Sequence, residues 1–384
     1  MKIAMRILSY VLVAAVASCL TMVAFAGNDG MERGKLEQLE DIISHYFIGE
    51  VEEEVLQDAA AEAMVYALDD RWSYYMTAQE YESYLERMKN AYVGVGMTVV
   101  AQEDGYVLIK SVEPNGPAKE AGIRYGDVLV AVEGEDICNL DLDDVSARVK
   151  GPENTSVSLT VRRGSEELTF QVERRTIQTV VASGQMLPGN VGLVTIVNFD
   201  SRCYQESVAA IEMLLEQGAQ SLLFDVRYNP GGYKSELVKL LDYLLPEGPL
   251  FRSLDYTGKE SVDESDADCL ELPMAVLVNG DSYSAAEFFA AALREYDAAF
   301  LVGEPTTGKG RFQTSFALSD GSAAVISIGE YTTPNGVSLA DVGLTPDILV
   351  EVDDQTYMDI YADAVAPEDD IQIQAALEAL RSGS

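Results

Sequence analysis

Histidine is almost missing from this chain: 384 residues hold one, His45. That scarcity excludes hydrolytic machinery in which an imidazole takes the proton of a nucleophile. His45 shares a stretch with Leu36, Leu39 and Ile43, which recur at helical spacing, and it reads as an ordinary helix residue. Cysteine is also sparse. Cys19, Cys138, Cys203 and Cys269 lie far apart and form no Cys-x-x-Cys, so neither a disulfide framework nor a zinc site is expected, and no cofactor is implied. Positive charge is the third shortage. Against 64 Asp and Glu stand 26 Lys and Arg, a formal net charge of −38. Such a field repels nucleic acid and anionic lipid, so a DNA or RNA partner is excluded. Internal repeats and low-complexity segments are absent as well.

What is present is ample apolar material, 48% of the residues, in a chain long enough for two or three domains. Lys2 and Arg6 precede an uncharged stretch from Ile7 to Ala26 that ends Ala24-Phe25-Ala26. A basic start, an apolar centre and a small-x-small exit predict an export signal over residues 1–26, cut after Ala26. Two alternatives stay open: residues 7–26 retained as a membrane anchor, and lipid attachment at Cys19 in Val16-Ala17-Ser18-Cys19. All three place the bulk of the chain outside the cytoplasm.

Residues 27–90 read as a helical arm. An Ala-rich run from Val55 to Leu68 follows the His45 helix, and a Tyr/Glu-rich segment to Met88 predicts another helix. The arm carries no evident chemistry and is expected to serve self-association. Residues 91–176 change texture. Val157, Leu159 and Val161 alternate with polar residues, Gly164 marks a turn, and Leu168, Phe170 and Val172 alternate on the way back, the signature of a hairpin. From residue 177 onward strands and helices alternate. The continuous apolar run Ser221–Val226 suits a strand covered on both faces, and Leu237, Leu240, Leu241 and Leu244 mark a helix after it.

Three glycine-bearing breaks follow strands in this last part: Asn229-Pro230-Gly231-Gly232, the run GDSYSAAE that contains Ser284, and EPTTGKGRFQT, which contains Lys309. Ser284 and Lys309 are 25 positions apart. With histidine unavailable, a serine nucleophile here requires a lysine base, and lysine accepts a proton only when neutral. A free lysine has a pKa near 10.4, so work near neutrality needs a depression of roughly three units, about 4 kcal/mol that the fold must supply. Ser284 precedes Glu287 by three positions at the start of a predicted helix, where free N–H groups favour a developing oxyanion. Alone, a serine there is usually a cap and a lysine usually solvated.

Together these blocks resemble the carboxyl-terminal (tail-specific) processing peptidases. The resemblance extends to Tyr331-Thr332-Thr333-Pro334-Asn335-Gly336 and Gly343-Leu344-Thr345-Pro346-Asp347-Ile348, and it covers nearly the whole chain after residue 26. Residues 91–176, with Val93-Gly94-Val95-Gly96, Gly116-Pro117-Ala118 and Gly126-Asp127, resemble a PDZ domain, in which Val93 to Gly96 occupy the loop that takes a peptide's terminal carboxylate. The resemblance implies an α+β multidomain fold: helical arm, β-rich PDZ domain, and over residues 177–384 a mixed α/β core of the Clp protease/crotonase spiral type. It implies an extracytoplasmic serine endopeptidase acting on proteins with accessible C-termini, and a homodimer through the arm. Ser284 would be the nucleophile rather than Ser282, Lys309 the general base and Gln313 its orienting partner. Backbone N–H groups of Gly231, Gly232 and Ala285 are candidates for the oxyanion hole. Where the family often has Asp or Gln, eleven residues after the nucleophile, stands Glu295, to which no catalytic role is assigned; Tyr228 replaces a common Asn. A catalytically inert PDZ adaptor is the alternative, and a crotonase-like acyl-CoA enzyme a weaker one.

Overall fold

A computed structural model describes residues 34–102 and 104–382, and the chain divides into two units between Ala67 and Leu68. The export-signal reading of residues 1–26, with its anchor and lipid alternatives, lies outside the described residues. Among the described residues no helix is long and apolar enough to cross a membrane.

The first unit contains α1 (Lys35–Tyr46) and α2 (Glu53–Tyr66). Gln57 of α2 donates to the Glu40 carboxylate of α1 at 2.9 Å. Leu36 and Leu39, the residues whose spacing predicts the first helix, remain 48% and 50% exposed.

The second unit begins with β1 (Tyr74–Met76) and α3 (Ala78–Met88). A capping box starts α3: the Thr77 N–H donates to Glu80 at 2.9 Å, and the Glu80 N–H returns to Thr77 Oγ1 at 3.3 Å. The PDZ-like part follows with β2 (Ala91–Gly94), β3 (Met97–Ala101), β4 (Val107–Val112), α4 (Pro117–Ala121), β5 (Val128–Val132), β6 (Glu135–Asp136), α5 (Leu142–Val149), β7 (Ser156–Arg163), β8 (Glu166–Glu173) and β9 (Arg175–Gln178). Its sheet runs β3-β4-β5-β7-β8, with β3 at an edge. The predicted hairpin forms as read, Val157 opposite Val172, Leu159 opposite Phe170 and Val161 opposite Leu168. Strands β2 and β9 pair with each other and lead the chain into and out of this part.

The remainder comprises β10 (Ala182–Leu187), β11 (Val191–Ile196), α6 (Cys203–Glu216), β12 (Ser221–Asp225), α7 (Lys234–Leu244), β13 (Gly248–Asp255), β14 (Glu260–Ser265), β15 (Met274–Val278), α8 (Ala285–Glu295), β16 (Ala299–Gly303), β17 (Arg311–Ala317), β18 (Ala323–Thr332), β19 (Ile348–Leu349), α9 (Asp354–Tyr361) and α10 (Ile371–Ser382). Six strands form one sheet in the order β10-β11-β12-β15-β16-β19, parallel from β11 to β19. Alternate residues of its central strands face opposite layers. Leu222, Phe224, Val276 and Val278 pack with α6, α7 and α8, whereas Leu223, Ala275 and Leu277 pack against Ile373, Ala376 and Leu377 of α10. Burial on both faces explains why these strands read as unbroken apolar runs. A second sheet, β1-β18-β13-β14 with β17 on β18, adjoins the first. β1 was not legible in the sequence: its three residues are a strand only because β18 offers Val325, Ala324 and Ala323 as partners.

Candidate active site

Three breaks at the ends of β12, β15 and β16 come together. Asn229 and Asn279 lace the first two: the Asn229 side chain donates to the Ile196 carbonyl at 2.8 Å, the Tyr228 N–H donates to Asn279 Oδ1 at 3.0 Å, and the Tyr283 N–H donates to the Asn229 carbonyl at 3.1 Å. Ser282 is consumed by this lacing. It is fully buried, and its Oγ donates to the Val226 carbonyl at 2.7 Å while accepting from the Asn279 N–H at 3.0 Å. Its hydroxyl has no route to a substrate.

Ser284 is different. It is the N-cap of α8 with φ 58° and ψ −124°, a left-handed backbone that a residue with a Cβ adopts only under constraint. A sharp strand-to-helix turn of this kind lifts the side chain clear of the sheet. Its Oγ accepts from the Tyr331 hydroxyl at 3.2 Å, and Tyr331 is itself wedged against Phe288 with ring centroids 4.4 Å apart. Burial pushes the Tyr331 phenol well above its ordinary pKa, so it remains a donor. Tyr331 appears in the sequence only as one letter of a motif, and nothing there points to its contact with Ser284.

Glu287 sits one turn into α8, completely buried. Its Oε2 accepts the N–H of Ser284 at 3.1 Å and of Lys309 at 2.9 Å, and its Oε1 accepts the N–H of Gly308 at 2.7 Å and the Thr306 hydroxyl. Burial raises its pKa; the four donors oppose that rise. The Lys309 loop fits closely because its flanks are glycine. A Cβ on Gly308 would stand 2.8 Å from the Gly343 nitrogen, and one on Gly310 would stand 2.5 Å from the Ala340 Cβ.

Burial lowers the Lys309 pKa to about 8, with Asp70 and Glu287 pulling the other way. The Lys309 Nζ lies 4.8 Å from the centre of the Trp72 ring and 6.0 Å from that of Tyr283. No hydrogen bond joins Lys309 to Ser284 or to Gln313 in this structure. The Gln313 amide instead donates to the Arg311 carbonyl and to Ser327 Oγ, both at 3.0 Å, next to a register shift between Phe312 and Gln313. Glu295 accepts from the Asn335 N–H at 2.8 Å at the far end of α8, away from Ser284.

Among the candidate oxyanion donors, the Gly231 N–H is committed to Asn229 Oδ1 at 2.9 Å. The N–H groups of Gly232 and Ala285 have no acceptor among the described residues. Gly231 is packed so close that a Cβ there would stand 2.7 Å from the Ser284 Cβ. Gly232, at φ 147°, rests on Phe199, and a Cβ there would stand 2.3 Å from the Phe199 carbonyl carbon. Beside it, Asp200 is buried with Oδ1 unpaired, and burial raises its pKa to about 7.

One groove of about 1470 Å³ takes in Ser284, Lys309, Gln313 and Gly232, and continues past Asn90 and Tyr92 to Lys150 at the end of α5. The stretch expected to form the carboxylate loop is half strand: Val93 and Gly94 belong to β2, opposite Thr176 and Arg175, because β2 pairs with β9. Val95 and Gly96 make the turn into β3. The Val95 carbonyl accepts from Ala118 and the Gly96 carbonyl from Glu113, both at 2.9 Å. The outer edge of β3 is unpaired and α5 runs beside it, the geometry in which a peptide can add as a strand.

Residues 190–350 match the model of peptidase family S41, and residues 108–163 match a PDZ domain. The chain is 32% identical over 332 residues to the carboxyl-terminal-processing protease of Synechocystis sp., a match covering 84% of this chain and 77% of that protein. It is 31% identical over 328 residues to a Staphylococcus aureus protein named "Probable CtpA-like serine protease" and spans 66% of that relative's length. A solved structure of a Bacteroides fragilis protein assigned as an S41 protease has the same fold, with TM-score 0.57 and 16% identity over 93% of this chain and 99% of that one.

Proposed function

The chain belongs to peptidase family S41, and on that premise we propose that it is a serine endopeptidase with a Ser284–Lys309 dyad that selects polypeptides by their C-terminal tails. The observation that carries this reading is the joint placement of a strained, helix-capping Ser284 and a half-buried Lys309 of lowered pKa in one groove.

In the proposed reaction neutral Lys309 takes the proton of Ser284 Oγ as the oxygen bonds to the scissile carbonyl carbon. Negative charge then develops on the carbonyl oxygen, where the N–H groups of Ala285 and Gly232 can receive it. The Lys309 ammonium gives its proton to the departing amine as the C–N bond breaks. Water repeats the sequence on the acyl-enzyme, freeing the acid and restoring Ser284. Gln313 would position the lysine once substrate displaces its present partners. The turn at Val95-Gly96 and the open edge of β3 would hold the tail.

The basic, apolar and small-x-small N-terminus supports an extracytoplasmic location. The exposed Leu36 and Leu39 support a second copy of the chain as the arm's partner. Cleavage of an unfolded protein such as casein, by the parent and by Ser284→Ala and Lys309→Ala, tests the reading. Cleavage by the parent alone is expected, faster on a free C-terminus than on an amidated one. Equal cutting by all three, or tail binding without any cutting, would discard the dyad.

A further inference from the structure

The chain contains a single tryptophan, and it stands against the base. Trp72 belongs to the six-residue link between the end of the first unit and β1, a stretch in which the sequence displays no chemistry. The link is fastened from several sides. Ser73 Oγ donates to Asp70 at 2.6 Å, Arg311 donates to Asp70 at 3.3 Å, and the Ser327 N–H donates to Ser73 Oγ at 3.0 Å. These bonds tie it to β17 and β18, the strands that follow the Lys309 loop. Trp72 is thereby held with its ring centre 4.8 Å from Lys309 Nζ and 6.0 Å from the Tyr283 ring.

We propose that Trp72 is a positioning residue that sets the basicity of Lys309, its indole acting as an apolar wall that keeps water from the ammonium. The inference rests on the peptidase reading above. The indole acts on the lysine in two opposed ways. Excluding water disfavours the charged form, whereas the ring face attracts a cation. Burial is the largest influence on Lys309 and its pKa is lowered to about 8, the direction expected of an apolar wall. The other charged or titratable groups facing this pair are few. Asp70 from the same link and Glu287 from α8 both favour the ammonium, the Arg71 guanidinium lies 4.3 Å from the indole centre, and the Tyr283 phenol is held above its ordinary pKa by burial. Asp70 lies below its ordinary range: burial raises it, but hydrogen bonds from Ser327, Ser73 and Trp72 outweigh that.

Trp72→Ala is expected to raise the apparent pKa of kcat/KM by about one unit. Cleavage at pH 7 then falls about tenfold, and the deficit closes to within about twofold at pH 10, where lysine is neutral in both proteins. Trp72→Phe keeps an apolar wall and should restore the parent profile to within about half a unit. A loss of rate equal at every pH would mean that the ring only supports the fold, and would overturn the proposal. A second measurement needs no cleavage. In the Ser284→Ala protein, the emission of the lone tryptophan should change with pH through a midpoint near 8, and adding Lys309→Met should abolish that step. A curve unchanged by Lys309→Met also overturns it. Failure of the parent to cut anything would discard the peptidase reading, while the fluorescence titration would still judge the Trp72–Lys309 pair.

Discussion

Ser284 and Lys309 are joined through a single oxygen atom: Glu287 Oε2 accepts the backbone N–H of Ser284 at 3.1 Å and that of Lys309 at 2.9 Å. The proposed nucleophile and base are thus registered by their main chains, whatever their side chains do. All four donors to this carboxylate sit on the two loops that carry Ser284 and Lys309.

Glu287→Gln should therefore damage both fold and rate. An amide offers one acceptor oxygen where the carboxylate offers two, so at least two buried N–H or O–H donors lose their partner. About 2–4 kcal/mol of stability is expected to go, with a tenfold or greater fall in kcat/KM. Thermal melts and casein cleavage check this, and an unaltered melt would show the contacts to be incidental.

Activity should climb with pH. Lys309 works only when neutral, and its pKa is lowered to about 8, so kcat/KM should rise about tenfold per pH unit below that point and level off above it. Stability carries the matching sign. Because the folded pKa lies below the unfolded value of 10.5, folding disfavours the ammonium; the penalty is full below pH 8 and vanishes above pH 10.5. Lys309→Met should thus stabilise the protein by up to about 3 kcal/mol at pH 7 and by little at pH 11, read by denaturant titration.

Gly231→Ala and Gly232→Ala should each cost both activity and stability, through different neighbours. A Cβ at Gly231, where φ is 89°, meets the Ser284 Cβ at 2.7 Å and main chain at Ala285 and Tyr283, 2.9 and 3.0 Å away, so the whole Ser284 turn must shift: kcat should fall a hundredfold or so and stability should fall with it. A Cβ at Gly232 meets main chain at Phe199, 2.3 Å away, and the expected loss is about 3 kcal/mol of stability along with activity. Melts and kcat measured on both variants check this, and a parent-like kcat in Gly231→Ala would overturn it.

Asp200→Asn should stabilise the chain above neutral pH. Its carboxyl is pushed up to about 7 by burial, from 3.8, with one oxygen unpaired. The folded state prefers the proton, so stability falls as pH rises from 4 to 7, and the full cost, up to about 4 kcal/mol, persists above that range. The amide has nothing to ionise. A parent and variant of equal stability at pH 8 would rule this out.

Much of this arrangement is legible in the sequence, because it depends on local rules. Two-residue alternation announced the β7–β8 hairpin, and burial on both faces announced β12 and β15 as apolar runs. The near-absence of histidine leaves lysine as the candidate base, and the resemblance to the processing peptidases points to Ser284 rather than Ser282. Other features depend on what the fold brings together. Ser284 takes a positive φ only because Asn229 and Asn279 lace its turn to the neighbouring loop. Gly231 and Gly232 are alike as letters, and only their neighbours leave one amide bonded and the other free. Glu287 is one helix residue among others in the sequence, and only the fold brings the Lys309 loop onto its carboxylate. Trp72 lies 237 positions before Lys309, and no periodicity reaches that far. Residue type and spacing decide which groups can react. Which of them are dry, strained or in contact is decided by long-range packing, since burial and distance belong to the folded chain.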